Sequence, residues 1–480
     1  MEQSTTLAEP PLVVDLDGTL IRSDALIEAV LALLRASPWM LFMLPLWLLG
    51  GRARLKRELA ARAPVDAAAL PYDQDLLAWL RAEHGRGRVL VLATASDQAV
   101  ADAVAAHLGL FSRVLGSDGV RNLKGTNKAA ALAALFPQGF DYAGDSTADL
   151  AVWRVAAGAV PVAAPAGLRA RAASLAPIRA EFPRPAPGPE VWARTLRVHQ
   201  WAKNGLVFLP MVLSHQYGSA LAWLVCALGF MALSLVASGT YILNDLLDLP
   251  NDRRHRSKRG RPIAAGLVGM GQVLAVAVAL LGAGLGLGLL LGLAPFAALV
   301  AYLVTTLAYS LWLKREPILD VMVIAGLFTL RLAFGIVLVG ASFSPWLLAF
   351  ASFLFFSLAL AKRHTEVLAL AEMGQAQAGG RGYMARDAGI TLALGTSTAV
   401  SAILVFILYL VLDALPNGPY RTPEALWGMP LLIGLWVGRI WLLADRGQMN
   451  DDPVAFAIRD RTSIVYGLGM VLFFIWAAAL

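Results

Sequence analysis

From about residue 200 onward the chain is an almost unbroken series of apolar segments. A helical bilayer crossing takes about 20 apolar residues, and this half supplies them repeatedly. Nine spans are expected, near 203–217, 220–243, 267–292, 294–313, 318–340, 344–361, 388–412, 425–444 and 463–480, the first being short. Hydrophobic residues make up 58% of the 480, but they are unevenly spread. Residues 1–190 mix charged and apolar runs as a water-soluble domain does, so more than one domain is expected. The stretch FPRPAPGPE (182–190) reads as a stiff linker. The expected division is a soluble part at 1–183, a linker at 184–190 and a membrane part at 191–480.

Charge orients the membrane part. The loops 244–266, 314–317, 362–387 and 445–462 hold 6, 2, 4 and 3 Arg or Lys residues, whereas the opposite loops hold only Arg421. The first set is therefore expected in the cytoplasm. The N-terminal domain joins it there, and an odd number of spans places the C-terminus outside. The opening MEQSTTLAEPP has no basic stretch followed by an apolar run, so no signal peptide is expected. The single cysteine, Cys226, excludes an intrachain disulfide. The net charge of +7 needs no nucleic acid to explain it, because the basic residues gather in these loops.

The polar groups of the membrane part collect on the same side, in RTLRVHQWAKN (194–204), YSLWLKREPILD (309–320), AKRHTEV (361–367), GGRGYMARD (379–387) and DRGQMNDDPVAFAIRDR (445–461). A transporter more often builds its site at the bilayer midplane. The densest segment is SGTYILNDLLDLPNDRRHRSKRGRPIAAG (238–266). It sets Asn244, Asp245, Asp248 and Asp252 where a span ends, followed by six Arg or Lys residues from Arg253 to Arg261. Carboxylates at that boundary are costly unless they hold metal or substrate. Beside a basic cluster they suit a Mg²⁺-diphosphate. The plainer reading is a basic loop that only orients the protein, yet such a loop has no need of three spaced aspartates. Positions 245, 248 and 252 share one helix face. Pro250 should kink or end that helix, so Asp252 is expected to approach from a loop. Arg331, inside the fifth span, should face a polar cavity or a carboxylate. Asp320 stands eleven residues earlier, about 16 Å along a helix, and is no obvious direct partner.

This segment resembles the first aspartate-rich motif of the UbiA superfamily of intramembrane prenyltransferases. More narrowly, it resembles the branch of decaprenyl-phosphate phosphoribosyltransferases, which reads approximately YLVNDxxDxxxDRxHPxKRxRPIAAG. RTLRVHQWAKN and YSLWLKREPILDVMVIAGLFTLR are similar to that branch too, and the resemblance covers roughly 190–480. Pro250 inside the motif and Arg256, where the family often has proline, are departures. The resemblance implies Mg²⁺-dependent transfer of a phosphoribosyl group from 5-phosphoribosyl 1-diphosphate to a polyprenyl phosphate, in a plasma membrane of bacterial type. Asp245, Asp248 and Asp252 would hold Mg²⁺ on the leaving diphosphate. The lipid phosphate, already anionic, would attack without a strong base. Lys203, Lys258, Arg261, Lys314, Lys362 and Arg363 are candidates for holding phosphate groups, each competing with a plainer role as an orientation charge or headgroup contact. Asn244, Tyr309 and Asp320 complete the expected substrate site.

In the soluble half, LVVDLDGTLIRSD (12–24) reads as a buried strand, a turn and an exit into helix. It resembles the first motif of the haloacid dehalogenase-like (HAD) hydrolases, an α/β Rossmann-like fold. VLVLATAS (89–96), NLKGTNKAAAL (122–132) and FDYAGDSTADLAVW (140–153) supply the rest of that pattern in order. The resemblance implies that Asp15 attacks phosphorus and that Asp17 protonates the leaving alcohol and then activates water. Thr94 would bond the phosphoryl oxygens and a lysine would neutralise them, the spacing KxxxLxxL favouring Lys128 over Lys124. Asp15 and Asp145, with the carbonyl of Asp17, would ligate Mg²⁺, supported by Asp149. Residues 20–85 should form a helical cap. Its run PWMLFMLPLWLLGG (38–51) is too short for an ordinary span. It is either cap core or an interfacial element anchored by Trp39 and Trp47, with Arg52, Arg54, Lys56 and Arg57 near headgroups.

Consecutive reactions make joint sense of the two halves. The membrane half would make polyprenyl-phospho-ribose 5-phosphate, and the HAD half would remove the 5-phosphate to leave a lipid-linked ribose for cell-envelope glycan assembly. Two alternatives stand beside this: a prenyl transfer from prenyl diphosphate to a small acceptor, and a polyprenyl-lipid transporter with a regulatory soluble domain.

Overall fold

The computed structural model describes residues 9–255, 258–374, 382–449 and 453–479. Arg256, residues 379–381 of GGRGYMARD and residues 450–452 of the last loop motif lie outside the described residues. The chain divides into two compact units, Met1–Leu196 with Asp245–Ala275, and Arg197–Asn244 with Val276–Leu480.

The first unit is built on a parallel sheet of β1 (Leu12–Val14), β2 (Leu90–Asp97), β3 (Arg113–Ser117), β4 (Asp141–Gly144) and β5 (Gly158–Pro161), in the order β3-β2-β1-β4-β5. Aliphatic runs buried on both faces suit strands covered by helices on each side, and Leu12, Val13 and Val14 are fully buried. Leu12 is in register with Leu90 on one side and Asp141 on the other. The strand order reverses at β1, and ligands of such sheets bind beyond the strand carboxyl ends at that point. Asp15, Thr94 and Asp145 all stand at that edge.

Between β1 and β2 lies the helical cap. Asp24 caps Ala25–Ala36 by accepting from the amides of Leu26 and Ile27. The apolar run becomes a 3₁₀ helix at Pro38–Met43 and an α-helix at Leu44–Leu49, followed by Arg52–Arg62. Trp47 is buried with Ala29, Leu33 and Leu59, while Trp39 is 74% exposed. Of the two tryptophans considered as anchors, Trp47 is therefore cap core. Lys56 also departs from the expected headgroup role: its ammonium donates to the Ala95 carbonyl at 2.6 Å and to Asn122 Oδ1 at 3.2 Å.

The remainder of the first unit is Asp245–Ala275. The long helix Ala220–Leu247 stops before Asp248, and Pro250 occupies the first turn of a second helix, Leu249–Arg254. Proline is tolerated there, since first-turn amides have no intrahelical partner. Asp252 thus sits on a helix and not on the expected loop. Arg253 Nη2 binds Glu28 Oε1 at 2.6 Å, its Nε donates to the Ala264 carbonyl at 3.2 Å, and Arg254 pairs with Asp66. Gly266 (φ 66°) leaves no room for a side chain, because a Cβ there would lie 2.6 Å from that of Arg22.

In the chain as a whole, eight helices among the described residues are long and apolar enough to cross a membrane. The segment expected as a short first span forms a 3₁₀ helix, Val198–Phe208, and a five-residue α-helix, Leu209–Leu213. Pro210 and the left-handed His215 (φ 57°) interrupt it. Within the second unit, Phe328, Leu332, Leu358, Ile440 and Trp441 belong to one core cluster. Arg331 donates to Asn204 Oδ1 at 2.9 Å, the Leu327 carbonyl at 2.6 Å and the Tyr302 hydroxyl at 3.0 Å, neutral partners in place of the expected carboxylate.

Candidate active sites

At the carboxyl edge of the sheet, one oxygen each from Asp15, Asp145 and Asp149 lies within 4.8 Å of the others. Burial, together with the neighbouring Asp15 and Asp149 carboxylates, pushes Asp145 up to about 8. Crowded oxygens that resist ionisation suit a hard divalent cation, whose charge removes the repulsion. Gly18 (φ 73°) completes the cradle, for a Cβ there would stand 2.1 Å from Asp145 Oδ2. Asp149 is held by the amides of Asp145 and Ser146, the Ser146 hydroxyl and the Tyr142 hydroxyl. It is a fixed support on a short helical turn.

Lys128 Nζ stands 2.9 Å from Asp15 Oδ1 and donates to the Tyr142 hydroxyl at 2.8 Å. Burial raises the Asp15 carboxyl, Lys128 opposes that rise and Asp149 adds to it. Lys124 lines the same pocket. Asp17 accepts from the Ala25 amide at 2.7 Å and the Ser96 hydroxyl at 2.6 Å. Burial first, then Asp24, raises Asp17 to about 6, in the range where a carboxyl both gives and takes a proton near neutrality. Thr94 is fully buried and accepts from the Ser96 amide at 3.0 Å.

The pocket over these groups measures about 960 Å³. Its wall includes Arg184 and Pro185 of the proline-rich stretch, and Gly269 and Gln272 beyond the RPIAAG sequence. The stretch expected as a spacer is thus packed in place: Arg184 Nη2 binds Asp73 Oδ2 at 2.7 Å. Lys56, Ser96, Asn122 and Arg184 line the pocket without having been singled out for it by the sequence. Lys56 carried no sequence signal for this place, since it meets the Ala95 carbonyl and Asn122 only in three dimensions.

In the aspartate-rich segment, Arg261 Nη1 bridges Asp245 Oδ1 at 3.1 Å and Asp252 Oδ2 at 2.6 Å. Both aspartates are buried, and Asp248 precedes the second short helix as its N-cap. Lys258 opens the 3₁₀ turn Lys258–Gly260. The second unit holds the other candidates. Asp320, fully buried, binds Arg363 Nη2 at 2.7 Å and accepts from the Tyr383 hydroxyl at 2.7 Å. That hydroxyl accepts in turn from the Ile318 amide at 2.8 Å, and the Arg363 guanidinium lies 5.3 Å over the Tyr383 ring. Tyr383 was missed because its loop reads as solvated. Lys203 stands 5.6 Å over the Phe328 ring. Asn244 lies near the end of Ala220–Leu247, Tyr309 near the end of Leu293–Leu311, Lys314 in the turn Leu313–Arg315 and Lys362 on Pro345–Glu372.

Comparison with known proteins agrees with both halves. The model of the UbiA prenyltransferase family matches residues 206–478, and that of haloacid dehalogenase-like hydrolases matches 12–154. The chain is 41% identical over 469 residues to the uncharacterized protein y4nM of Sinorhizobium fredii, covering 97% of this chain and 91% of that one. It is 32% identical to the nodulation protein NoeC of Azorhizobium caulinodans, over 58% of this chain and 91% of the relative. It is 33% identical to the decaprenyl-phosphate phosphoribosyltransferase of Corynebacterium glutamicum, over 36% of this chain and 54% of the relative. The chain belongs to the UbiA prenyltransferase family and carries a haloacid dehalogenase-like hydrolase domain in its N-terminal part.

Proposed function

We propose that the protein makes a lipid-linked ribose in two steps at the cytoplasmic face of a bacterial-type plasma membrane. In the first, the bond between C1 of 5-phosphoribosyl 1-diphosphate and its diphosphate breaks. An oxygen of a polyprenyl phosphate takes its place on C1, and diphosphate leaves. Arg261, placed between Asp245 and Asp252, and the other basic candidates would bind the phosphates. Mg²⁺ bound by Asp245, Asp248 and Asp252 would neutralise charge on the leaving group. Asn244, Lys203, Lys258, Tyr309, Lys314, Asp320, Lys362 and Arg363 would complete the substrate site.

In the second step Asp15 displaces the ribose 5-oxygen from phosphorus, and Asp17 gives that oxygen its proton. Asp17 then takes a proton from the water that releases phosphate from Asp15. Lys128 and Thr94 hold the phosphoryl oxygens. A Mg²⁺ on Asp15, Asp145 and the Asp17 carbonyl, supported by Asp149, would offset their charge. The product is polyprenyl-phospho-ribose, a donor for cell-envelope glycans.

The observation that carries this reading is the pocket wall. Residues that follow the aspartate-rich motif, Gly269 and Gln272, line the pocket holding Asp15 and Lys128. The resemblance of that motif to decaprenyl-phosphate phosphoribosyltransferases supports the choice of donor. The test is mass spectrometry of lipids after the purified protein meets Mg²⁺, 5-phosphoribosyl 1-diphosphate and a polyprenyl phosphate. The expected product is polyprenyl-phospho-ribose, with Asp15→Asn accumulating its 5-phosphate. An unchanged product in that variant refutes the coupling. An intact lipid acceptor refutes the first step and turns the reading to prenyl transfer.

A further inference from the structure

The cap carries an apolar face that is exposed among the described residues. Trp39, Phe42, Leu46 and Leu49 are 74%, 79%, 54% and 85% exposed. They recur at helical spacing along Pro38–Leu49, so they share one side of that element, while Trp47 on the other side enters the cap core. Four large side chains in a row are an uncommon surface for water.

The same unit fixes the level at which this face begins. Arg35 Nη1 donates to the carbonyl of Leu247 at 3.3 Å. Leu247 is the last residue of a candidate membrane span, and Pro38 follows Arg35 by three residues. A second tie, Gly266 against Arg22, lies just before another span, Met270–Leu291. The ends of spans lie in the headgroup layer. Arg52 and Arg54, both exposed, follow the apolar run and match anionic headgroups. We infer that Trp39, Phe42, Leu46 and Leu49 insert into the interface of the membrane that this chain spans, so that the HAD pocket works at the lipid surface.

The pocket follows from that placement. Leu26, Ile27, Leu48 and Leu55 of the cap are among its lining residues. Apolar side chains in the same pocket as Asp15 and Lys128 fit a phosphomonoester whose remainder is lipid. Only this assignment of substrate class rests on the function proposed above; the insertion itself does not.

The test uses the full chain in nanodiscs containing anionic lipid. Phe42→Cys and Leu49→Cys are labelled with a fluorophore in a Cys226→Ala background, and Val120→Cys, at a site 91% exposed, is the control. Quenchers are borne either on lipid acyl chains or in water as iodide. Labels at 42 and 49 should be quenched by the lipid-borne group and shielded from iodide, and the label at 120 should behave oppositely. Leu46→Glu should weaken lipid quenching at 49 severalfold. Iodide access at 42 and 49 equal to that at 120 overturns the inference. So does shielding from both quenchers, which would point to a second copy of the chain. These outcomes are independent of whether ribose is transferred. A failure to remove phosphate from a lipid-linked ribose would sink the proposed function and leave the insertion standing.

Discussion

Replacing Arg253 with methionine should loosen the aspartate-rich segment from the cap. Glu28 and Arg253 are 6% and 8% exposed, and their 2.6 Å pair joins residues 225 positions apart. Without Arg253, Glu28 keeps the Ser23 hydroxyl and the nearby charge of Arg35, and the Ala264 carbonyl loses its guanidinium donor. Removing one partner of a buried pair costs about 3–5 kcal/mol, most of it the uncompensated charge left behind. If Leu249–Ala265 opens as one piece, hydrogen-exchange protection of its amides should fall by about two to three and a half orders of magnitude, at about 1.4 kcal/mol per tenfold. Protection in β1 and β4 should hold. Arg253→Met with Glu28→Leu should recover most of the loss, because replacing both members with apolar groups is often near neutral. The reading is refuted if Arg253→Met lowers protection less than about tenfold, a cost below about 1.4 kcal/mol that would mark the pair as no better than a surface ion pair.

Lys128→Met should slow phosphate release by about 10²–10³-fold, the scale for losing one preorganised charged group beside the reacting oxygens. Lys124→Met should stay near wild type, and equal losses in single-turnover assays would reject the assignment. Gly18→Ala forces a non-glycine residue to a φ of 73° and drives its Cβ into Asp145. Calorimetry of Mg²⁺ binding should show weakened affinity at the HAD site, and unchanged affinity there would mean that Asp145 is not a ligand.

The sheet and its acidic edge were legible because each strand announces itself within a few residues. LVVDLDGT is a buried run followed by a turn that must break it, and FDYAGDS repeats the arrangement. The candidate spans were legible from hydropathy for the same reason, a local sum over about 20 residues. The segment 203–217 passed that sum and did not form a single long helix, since apolar content says nothing of Pro210 or of the turn at His215. Pro250 misled in the opposite direction. The same fixed φ that ends one helix begins the next, and only the structure shows Leu249–Arg254 starting there. Long-range partners were beyond the sequence. Arg331 lies 127 positions from Asn204, and Asp320 lies 63 from Tyr383.

The arrangement around Arg261 explains why carboxylates at a membrane boundary are tolerable before any substrate arrives. Asp245 and Asp252 are buried, and each would carry an uncompensated charge if alone. Arg261 supplies the compensation with one nitrogen shared between them. Under the proposed function, a Mg²⁺-diphosphate would offer a cation to the aspartates and an anion to the guanidinium, so that each charge would keep a partner. Arg261 is followed within eleven residues by Gln272, which lines the pocket above Asp15. The stretch that carries Arg261 is therefore the one that walls the pocket of Asp15, and Arg253 ties it to Glu28 of the cap.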